Sequence, residues 1–314
     1  MESNFTFTSE FSGPAVAAVL TVEMLLGLIA NGVVLSITVY QRKSWKQSST
    51  IFFTSLILAH LVLNLMYFPF TIIALTAGEW IFGSTNEEKT GTCIFAAFIL
   101  WFSASVISMT LAAISFDRFF FIVKPHLHKQ FMRPWVALTL TIAIWILSAS
   151  VFGSFPFIGI GHYSYDDELG YCILIDVDIA SYVVILVIIF LVVAIVFVTS
   201  LWIFCFTRSY FKAQSVIAGE SVYASKKKRV IGVFGSMLLI YGTIYLFVAL
   251  GILLLIFITV PHELYISYYI VFFLVTIASP IIQSYFRPEI KSVLVSRCPF
   301  LFTCVCCSCV HSIC

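Results

Sequence analysis

The chain is poor in charged residues. Only 10% of its 314 residues are Asp, Glu, Lys or Arg, whereas 61% are hydrophobic, and the mean hydropathy is +1.08. Soluble domains carry about 25% charged residues. Too little polar surface is therefore available to cover a water-soluble globule of this size, which excludes a soluble globular protein. The composition indicates an integral membrane protein.

Several patterns that carry chemistry are missing as well. The sequence has no Ser-His-Asp order, no phosphate-binding glycine loop and no complete set of metal ligands. We therefore expect no enzymatic activity, no metal, no cofactor and no nucleic-acid partner. Strands of a membrane β-barrel would alternate in polarity over about 10 residues, and no segment does so. An all-α membrane protein remains.

Seven apolar segments are long enough for a helix to span a bilayer, which takes about 20 residues. They predict one seven-helix transmembrane bundle over residues 14–286. An N-terminal segment, residues 1–13, precedes it, and a tail, residues 287–314, follows. The predicted spans are Pro14–Tyr40, Thr50–Thr76, Cys93–Val123, Trp135–Phe155, Ile179–Thr207, Val230–Ile258 and Leu264–Phe286.

The basic residues predict the orientation of this bundle. Of the 17 Lys and Arg residues, all except Lys89 lie on one side of the predicted spans. Loops rich in Lys and Arg stay in the cytoplasm. The N-terminus is therefore expected outside and the C-terminus inside the cell. Asn4, in the acceptor triplet Asn4-Phe5-Thr6, becomes a candidate glycosylation site.

Two cysteines, Cys93 and Cys172, are both predicted to lie outside the cell, where disulfides persist. A bridge between them would hold the loop between spans four and five over the mouth of the bundle. The alternative is two free thiols.

Six more cysteines crowd the cytoplasmic tail, where juxtamembrane thiols favour palmitoylation. A metal site is the alternative, since Cys304, Cys307 and His311 have usable spacing, but no second pair completes a zinc ligand set. The palmitoylation candidates are Cys298, Cys304, Cys306 and Cys307.

The third span ends in Asp117-Arg118-Phe119. Arg118 follows Cys93 by 25 residues, which a helix covers in roughly 37 Å, and the hydrocarbon core of a bilayer is about 30 Å thick. One helix can therefore hold Cys93 near one membrane face and Arg118 near the other. The alternative is that Arg118 has no signalling role and only extends its charged group to the membrane–water interface.

These features together resemble the rhodopsin-like (class A) G-protein-coupled receptors. The resemblance rests on the order and spacing of short motifs along most of the chain. They are Asn31 in the first span, Ser55-Leu56-Ile57-Leu58-Ala59 in the second, Trp80-Ile81-Phe82-Gly83 before Cys93, Asp117-Arg118-Phe119, Trp145, Ser279-Pro280 in the seventh span, and Phe286-Arg287-Pro288-Glu289-Ile290-Lys291.

The resemblance implies a receptor in the plasma membrane that converts binding of an extracellular ligand into activation of a heterotrimeric G protein. It implies that a short amphipathic eighth helix follows the seventh span. Arg118 would pair with Asp117 at rest and face the G protein after activation, and Phe119 would alter contacts of the second cytoplasmic loop. Ser279 and Pro280 would belong to the activation machinery of the seventh span.

Some positions depart from the family pattern. His60 stands where the family has an aspartate that holds sodium, with Ile107 at the helper position on span three. A neutral imidazole does not replace a carboxylate as a ligand for a hard cation, so no sodium site is expected. His60 either bonds Asn31 as a structural group or titrates and biases the bundle with pH.

The sixth span also lacks the family's Cys-Trp-x-Pro hinge, and Tyr241 is the nearest candidate for its aromatic switch. Gln283 stands where a tyrosine is expected. These changes leave open a constitutively active receptor, or a non-signalling scaffold that partners another receptor, for example as a dimer. A transporter or channel has less support, because few polar residues lie in the spans.

Residues that the family uses for two known ligand classes are absent, which limits the chemical class of the ligand. Leu100 replaces the aspartate of amine receptors, and the seventh span has no lysine that could hold retinal. An apolar or aromatic lining suits an aromatic small molecule or a lipid. The acidic run Tyr165–Glu168 would suit a cationic peptide, unless it is only a solvated loop. The candidate lining residues are Leu100, Trp101, Ala104, Ser105, Tyr245, Tyr265 and Tyr269.

Overall fold

Long apolar helices dominate the computed structural model, which describes residues 5–7, 12–40, 47–218, 246–247, 250–251, 262–286, 290 and 293. A short pair of strands lies between the sixth and seventh helices. The elements are α1 Gly13–Tyr40, α2 Ser48–Met66, α3 Phe68–Ala77, α4 Asn86–Val123, α5 Pro125–Phe131, α6 Pro134–Ile158, β1 His162–Asp166, β2 Tyr171–Ile175, α7 Ile179–Ala218 and α8 His262–Phe286.

Among the described residues, six helical segments are long and apolar enough to cross a membrane. Helices α2 and α3 form one of them, because they follow each other with only Tyr67 between them. These segments match six of the seven predicted spans. Most of the sixth predicted span, Val230–Ile258, and of the predicted amphipathic helix lies outside the described residues, as does Tyr241.

Local sequence signals set the helix ends. At the start of α4, Thr85 accepts a hydrogen bond from the backbone N–H of Glu88 at 3.2 Å, and the Glu88 carboxylate accepts from the N–H of Ser84 at 2.7 Å. This reciprocal cap satisfies N–H groups that have no partner within the helix. Helices α3 and α6 end at Gly78 and Gly159, both at φ 74°, a left-handed conformation that suits glycine.

Helix α4 is the centre of the bundle, where it packs against α2, α6 and α7. Its side facing the core carries the small residues Ala96 and Ala97, both fully buried. Small residues let helix backbones approach closely in a membrane. Helix α6 is tied to α2 by a hydrogen bond of 2.9 Å from the Trp145 indole N–H to the Ser55 hydroxyl, so two family-like motifs contact each other.

The loop between α6 and α7 forms an antiparallel β-hairpin, which the sequence patterns do not predict. The Asp166 carboxylate accepts hydrogen bonds from the N–H groups of Glu168 and Leu169, at 3.0 and 2.9 Å. Gly170, at φ 77°, donates to the Asp166 carbonyl. The acidic run is therefore partly a turn element rather than only a solvated loop. Burial raises the pKa of Asp166 above its ordinary value.

Candidate functional site: the two ends of the helix α4

A disulfide joins Cys93 in α4 to Cys172 in β2, with a Cα–Cα distance of 5.4 Å. The bridge that the topology favoured is thus present in the structure. It holds β2 against the bundle so closely that four successive residues, Tyr171 to Leu174, are buried. Successive side chains of a strand point to opposite faces, so both faces of β2 are covered. We call this part of the molecule the disulfide end.

Residues 5–7 add a further layer at the disulfide end. The Phe7 N–H donates to the Gly78 carbonyl at 2.8 Å, and the Trp80 N–H donates to the Phe5 carbonyl at 2.9 Å. The Phe5 ring is buried and lies 6.0 Å from the Tyr165 ring. The segment before α1, the segment before α4 and the hairpin therefore pack on one another. Asn4 lies outside the described residues.

Trp80 is the fully buried hub of this end. Its indole N–H donates to the Thr92 hydroxyl at 3.0 Å, and its ring stacks on Phe70 and lies edge-on to Phe82. The motif that includes Trp80 thus acts as packing that joins the end of α3 to the start of α4.

Most of the residues predicted to line a ligand site pack against other side chains of this protein. The Tyr269 ring stacks on Tyr171 at a centroid distance of 4.5 Å, and its hydroxyl donates to that of Tyr67. The Trp101 ring stacks on a neighbour in α6, Phe152, at 6.0 Å. Leu100 is buried, Ser105 bonds Ser148 at 3.0 Å, and Ala104 and Tyr265 are half-buried, whereas Tyr245 lies outside the described residues.

Tyr171 allows a sharp test of this packing. Its ring is buried, and its hydroxyl has no hydrogen-bond partner among the described residues. We expect Tyr171→Ala to lower the free energy of unfolding by about 3–5 kcal/mol. Tyr171→Phe should raise it by about 1 kcal/mol, because it removes a buried hydroxyl without a partner. Thermal melting of the purified protein checks both, and a lower melting temperature for Tyr171→Phe would contradict the second.

A buried polar cluster joins α1, α2 and α8 midway along the bundle. The Asn31 amide donates to the carbonyls of Gly27 and Thr276, at 2.7 and 2.9 Å. The side-chain oxygen of Asn31 lies 3.2 Å from His60 Nδ1. This contact agrees with the interpretation of His60 as a structural group that bonds Asn31. A Cβ on Gly27 would lie 2.8 Å from Asn64 Oδ1, so glycine makes room for this amide.

At the altered sodium-site position, His60 is fully buried, and Ile107 brings only hydrocarbon. His60 Nε2 and Asn64 Oδ1 have no hydrogen-bond partner among the described residues. That this position holds no sodium ion stays a prediction. Sequence reasoning did not include Asn64 in the cluster, although its position four residues after His60 places both on one face of α2.

The other end of α4 carries Asp117 and Arg118, and we call it the Asp-Arg end. The Asp117 side chain is only 2% exposed. The Ser48 hydroxyl at the start of α2 donates to Asp117 Oδ1 at 2.5 Å, and His128 Nε2 in α5 lies 3.1 Å from the same oxygen. Neither partner follows from the sequence, because Ser48 is 69 residues away and the direction of α5 depends on tertiary packing. Arg118, the next residue along α4, is half-buried.

Other activation candidates lie on helix contacts. The Phe119 ring lies edge-on to Trp202 of α7 at 5.6 Å, so it joins two helices. Ser279 and Pro280 are buried in α8. Their roles in activation remain predictions.

The described residues contain no group of three or more His, Cys, Asp or Glu that could hold a metal ion. The tail cysteines that were considered for palmitoylation or metal lie outside the described part of the chain.

Known receptors resemble this chain in sequence. It is 26% identical to human melatonin receptor type 1B over 62% of this chain and 50% of the receptor. It is 30% identical to human hydroxycarboxylic acid receptor 3 over 44% of this chain and 34% of the receptor. It is 29% identical to rabbit (Oryctolagus cuniculus) cholecystokinin receptor type A over 46% and 32%. The chain thus spans half or less of the length of these relatives.

The family comparison covers most of the chain. The family described as 7 transmembrane receptor (rhodopsin family) matches residues 30–313, which include the polar cluster, the disulfide and the Asp-Arg end. Its members are receptors rather than enzymes and lie in the plasma membrane as multi-pass proteins. The chain therefore belongs to the rhodopsin family of seven-transmembrane receptors.

Proposed function

We propose that this protein converts binding of an extracellular ligand into activation of a heterotrimeric G protein. One observation carries the proposal. The single helix α4, Asn86–Val123, is bonded to the hairpin through Cys93 at one end and bears the Asp117 network at the other. A helix packed along its length transmits a shift of one end to the other, because packed interiors do not deform continuously.

In this proposal the disulfide end faces the outside and the Asp-Arg end faces the cytoplasm. The distribution of Lys and Arg supports that orientation. Residues 1–13 then form an extracellular segment with a glycan on Asn4, and residues 287–314 form a cytoplasmic amphipathic helix and a tail acylated on cysteine. Arg118 is the residue that contacts the G protein after the bundle opens.

The ligand class follows from the residues that cover the disulfide end. Tyr171, Ile173 and Leu174 of β2 are buried in the same hydrophobic cluster as Leu100, and the partly buried Tyr269 packs against that cluster. A ligand that displaces or extends this packing gains most from apolar and aromatic surface. We propose an aromatic small molecule, a lipid or a peptide, and neither a biogenic amine nor retinal.

Replacement of Arg118 tests the output. In cells, we expect Arg118→Ala to lower G-protein activation at least tenfold, because the arginine supplies the charge that the G protein contacts. A panel of G-protein activation sensors measures basal activity and the response to a ligand library, with expression at the surface matched. Arg133→Ala is the control, because Arg133 is exposed at the start of α6.

Two outcomes would contradict the proposal. One is a wild-type protein that activates no G protein in the basal state or with any ligand of the library. The other is an active protein that Arg118→Ala leaves unchanged. An inactive wild type would favour a non-signalling partner of another receptor. The departures from the family pattern at Ser279, Gln283 and Tyr241 support that alternative.

A further inference from the structure

Residues 5–7 lie at the disulfide end as a short extended segment that pairs with the connection between α3 and α4. The Phe7 N–H donates to the Gly78 carbonyl at 2.8 Å, and the Trp80 N–H donates to the Phe5 carbonyl at 2.9 Å. These two hydrogen bonds run in opposite directions, as in an antiparallel sheet. The main chain of that connection therefore acts as an edge to which one extended strand adds.

The side chains of this segment alternate between buried and exposed. Phe5 is buried and Phe7 is half-buried, whereas Thr6 between them is exposed. Residues i and i+2 of an extended strand lie on the same face, so both phenyl rings lie on the side that packs against the rest of the protein. Main-chain hydrogen bonds combined with pockets for alternate side chains are the means by which a sheet edge recognises a peptide.

The protein leaves room for the Phe7 ring. A Cβ on Gly170, which has a φ of 77°, would lie 2.8 Å from Phe7 Cδ2 and 2.8 Å from Leu75 Cδ2. A Cβ on Gly13, at the start of α1, would lie 3.5 Å from Phe7 Cε1. The absence of a side chain at Gly170, between the turn of the hairpin and the buried Leu75, thus forms a pocket that admits an aromatic ring.

A second pocket holds the Phe5 ring. This ring lies 6.0 Å from the Tyr165 ring, and the Lys89 ammonium lies 5.6 Å from its centroid, a distance at which a cation is attracted to an aromatic face. The Tyr165 hydroxyl is buried and has no hydrogen-bond partner among the described residues. A buried hydroxyl without a partner is unfavourable. Phe5 therefore fills this pocket without satisfying the polar group beside it.

We infer that this strand groove is a binding site for an extended peptide, and that residues 5–7 occupy it as a tethered competitor. The groove consists of the main chain of residues 78–80 and the two pockets. The inference rests on the proposed function and selects, among the ligand classes named there, a peptide with aromatic side chains at two alternate positions. Hydrogen bonds and ring contacts hold the segment in the groove, so a foreign strand that makes the same bonds replaces it.

A labelled free peptide tests the groove directly. The probe has the sequence of residues 2–10, and a control peptide has serine in place of both phenylalanines. Binding to the purified full-length protein in lipid nanodiscs is measured by fluorescence polarisation. A short tether holds its segment at an effective concentration of about 1 mM, so the wild type resists the probe. The double variant Phe5→Ser, Phe7→Ser frees the pockets and keeps the acceptor triplet of Asn4. We expect its apparent Kd for the probe to be lower by about tenfold or more, and the control peptide to bind neither protein.

A covalent lock on the segment should have the opposite effect. Thr6 and Glu79 face each other as an antiparallel pair between the two hydrogen bonds. The Cα atoms of such a pair are typically about 4.5 Å apart, which a disulfide can bridge. After oxidation, the variant Thr6→Cys, Glu79→Cys should bind the probe at no concentration that occupies the wild type. Asn4→Gln is the matched control, because Thr6→Cys also alters the acceptor triplet of Asn4, and it should bind the probe as the wild type does.

The outcomes distinguish this inference from the function on which it rests. Equal affinity of the probe for the wild type and the double variant, or no binding to either, would show that residues 5–7 only pack and would overturn the inference. Activation of a G protein that depends on Arg118 would then still support the receptor function. Probe binding by a protein that activates no G protein would retain the groove and contradict the proposed function. If the double variant does not fold, Phe7→Ser alone and the locked variant decide, since Phe7 is only half-buried.

Discussion

Simultaneous replacement of Cys93 and Cys172 by alanine will remove most of the folded receptor from the cell surface. The bridge closes a separation of 79 residues and fixes β2, whose residues Tyr171 to Leu174 are buried against the bundle. A disulfide of this span contributes about 2–4 kcal/mol to stability. That is a large part of the 5–15 kcal/mol by which proteins are typically stable. We expect surface expression to fall at least fivefold and the melting temperature of the purified remainder to fall by about 10 °C.

Cys205→Ala is the matched control for thiol removal, because Cys205 is an exposed free cysteine on α7. It should leave both measurements unchanged. The double variant also avoids the unpaired thiol that either single variant would leave. Surface expression of the double variant equal to that of Cys205→Ala would show that the hairpin packs without its covalent link, and would contradict the expectation.

Asn31→Ala should destabilise the membrane-embedded part of the bundle. The Asn31 side chain is the only described one that bonds both the Thr276 carbonyl of α8 and His60 of α2. Interhelical hydrogen bonds in membrane proteins contribute about 0.6 kcal/mol on average and up to about 1.7. The loss of both therefore costs about 1–3 kcal/mol, which corresponds to a melting temperature lower by about 2–8 °C.

A matched pair of variants separates the interhelical bonds from effects within α1. Ser36 is exposed on the same helix and donates only to the Gly32 carbonyl at 2.8 Å among its described contacts, so Ser36→Ala should have no effect. A double-mutant cycle of Asn31→Ala with His60→Ala isolates their coupling. A coupling energy near zero would mean that the 3.2 Å contact does not stabilise the bundle.

The sequence alone determined the class of protein and most of its spans. The reason is physical: a helix in lipid needs about 20 apolar residues because no water is present to bond its backbone. A low content of charged residues and long apolar segments therefore identify a membrane protein and its spans from the sequence. The sixth predicted span is the exception, since it lies largely outside the described residues, and the role of Tyr241 as its aromatic switch stays a prediction.

The hairpin shows where such reasoning fails. Tyr163 and Tyr171 look like ordinary loop residues beside an acidic run, yet both are buried. Two short strands have little intrinsic stability. Here the Cys93–Cys172 bridge, and the bond of 2.7 Å from the Tyr163 hydroxyl to the Phe152 carbonyl, hold them on the bundle. The disulfide joins residues 79 positions apart, and the Phe152 carbonyl belongs to a different element, α6, so local patterns reveal neither contact.

The same distinction between sequence and structure applies to the polar cluster around Asn31 and to the network around Asp117. Arg118, Asp117, His60 and Asn31 stand at recognisable spacings, so the sequence by itself singled them out. Only the tertiary structure decided that Asn31 bonds His60 and Thr276, and that Asp117 bonds Ser48 and His128. Spacing along one helix determines which residues share a face. Which residue of another helix meets that face depends on how all the helices pack, and that is a property of the whole bundle.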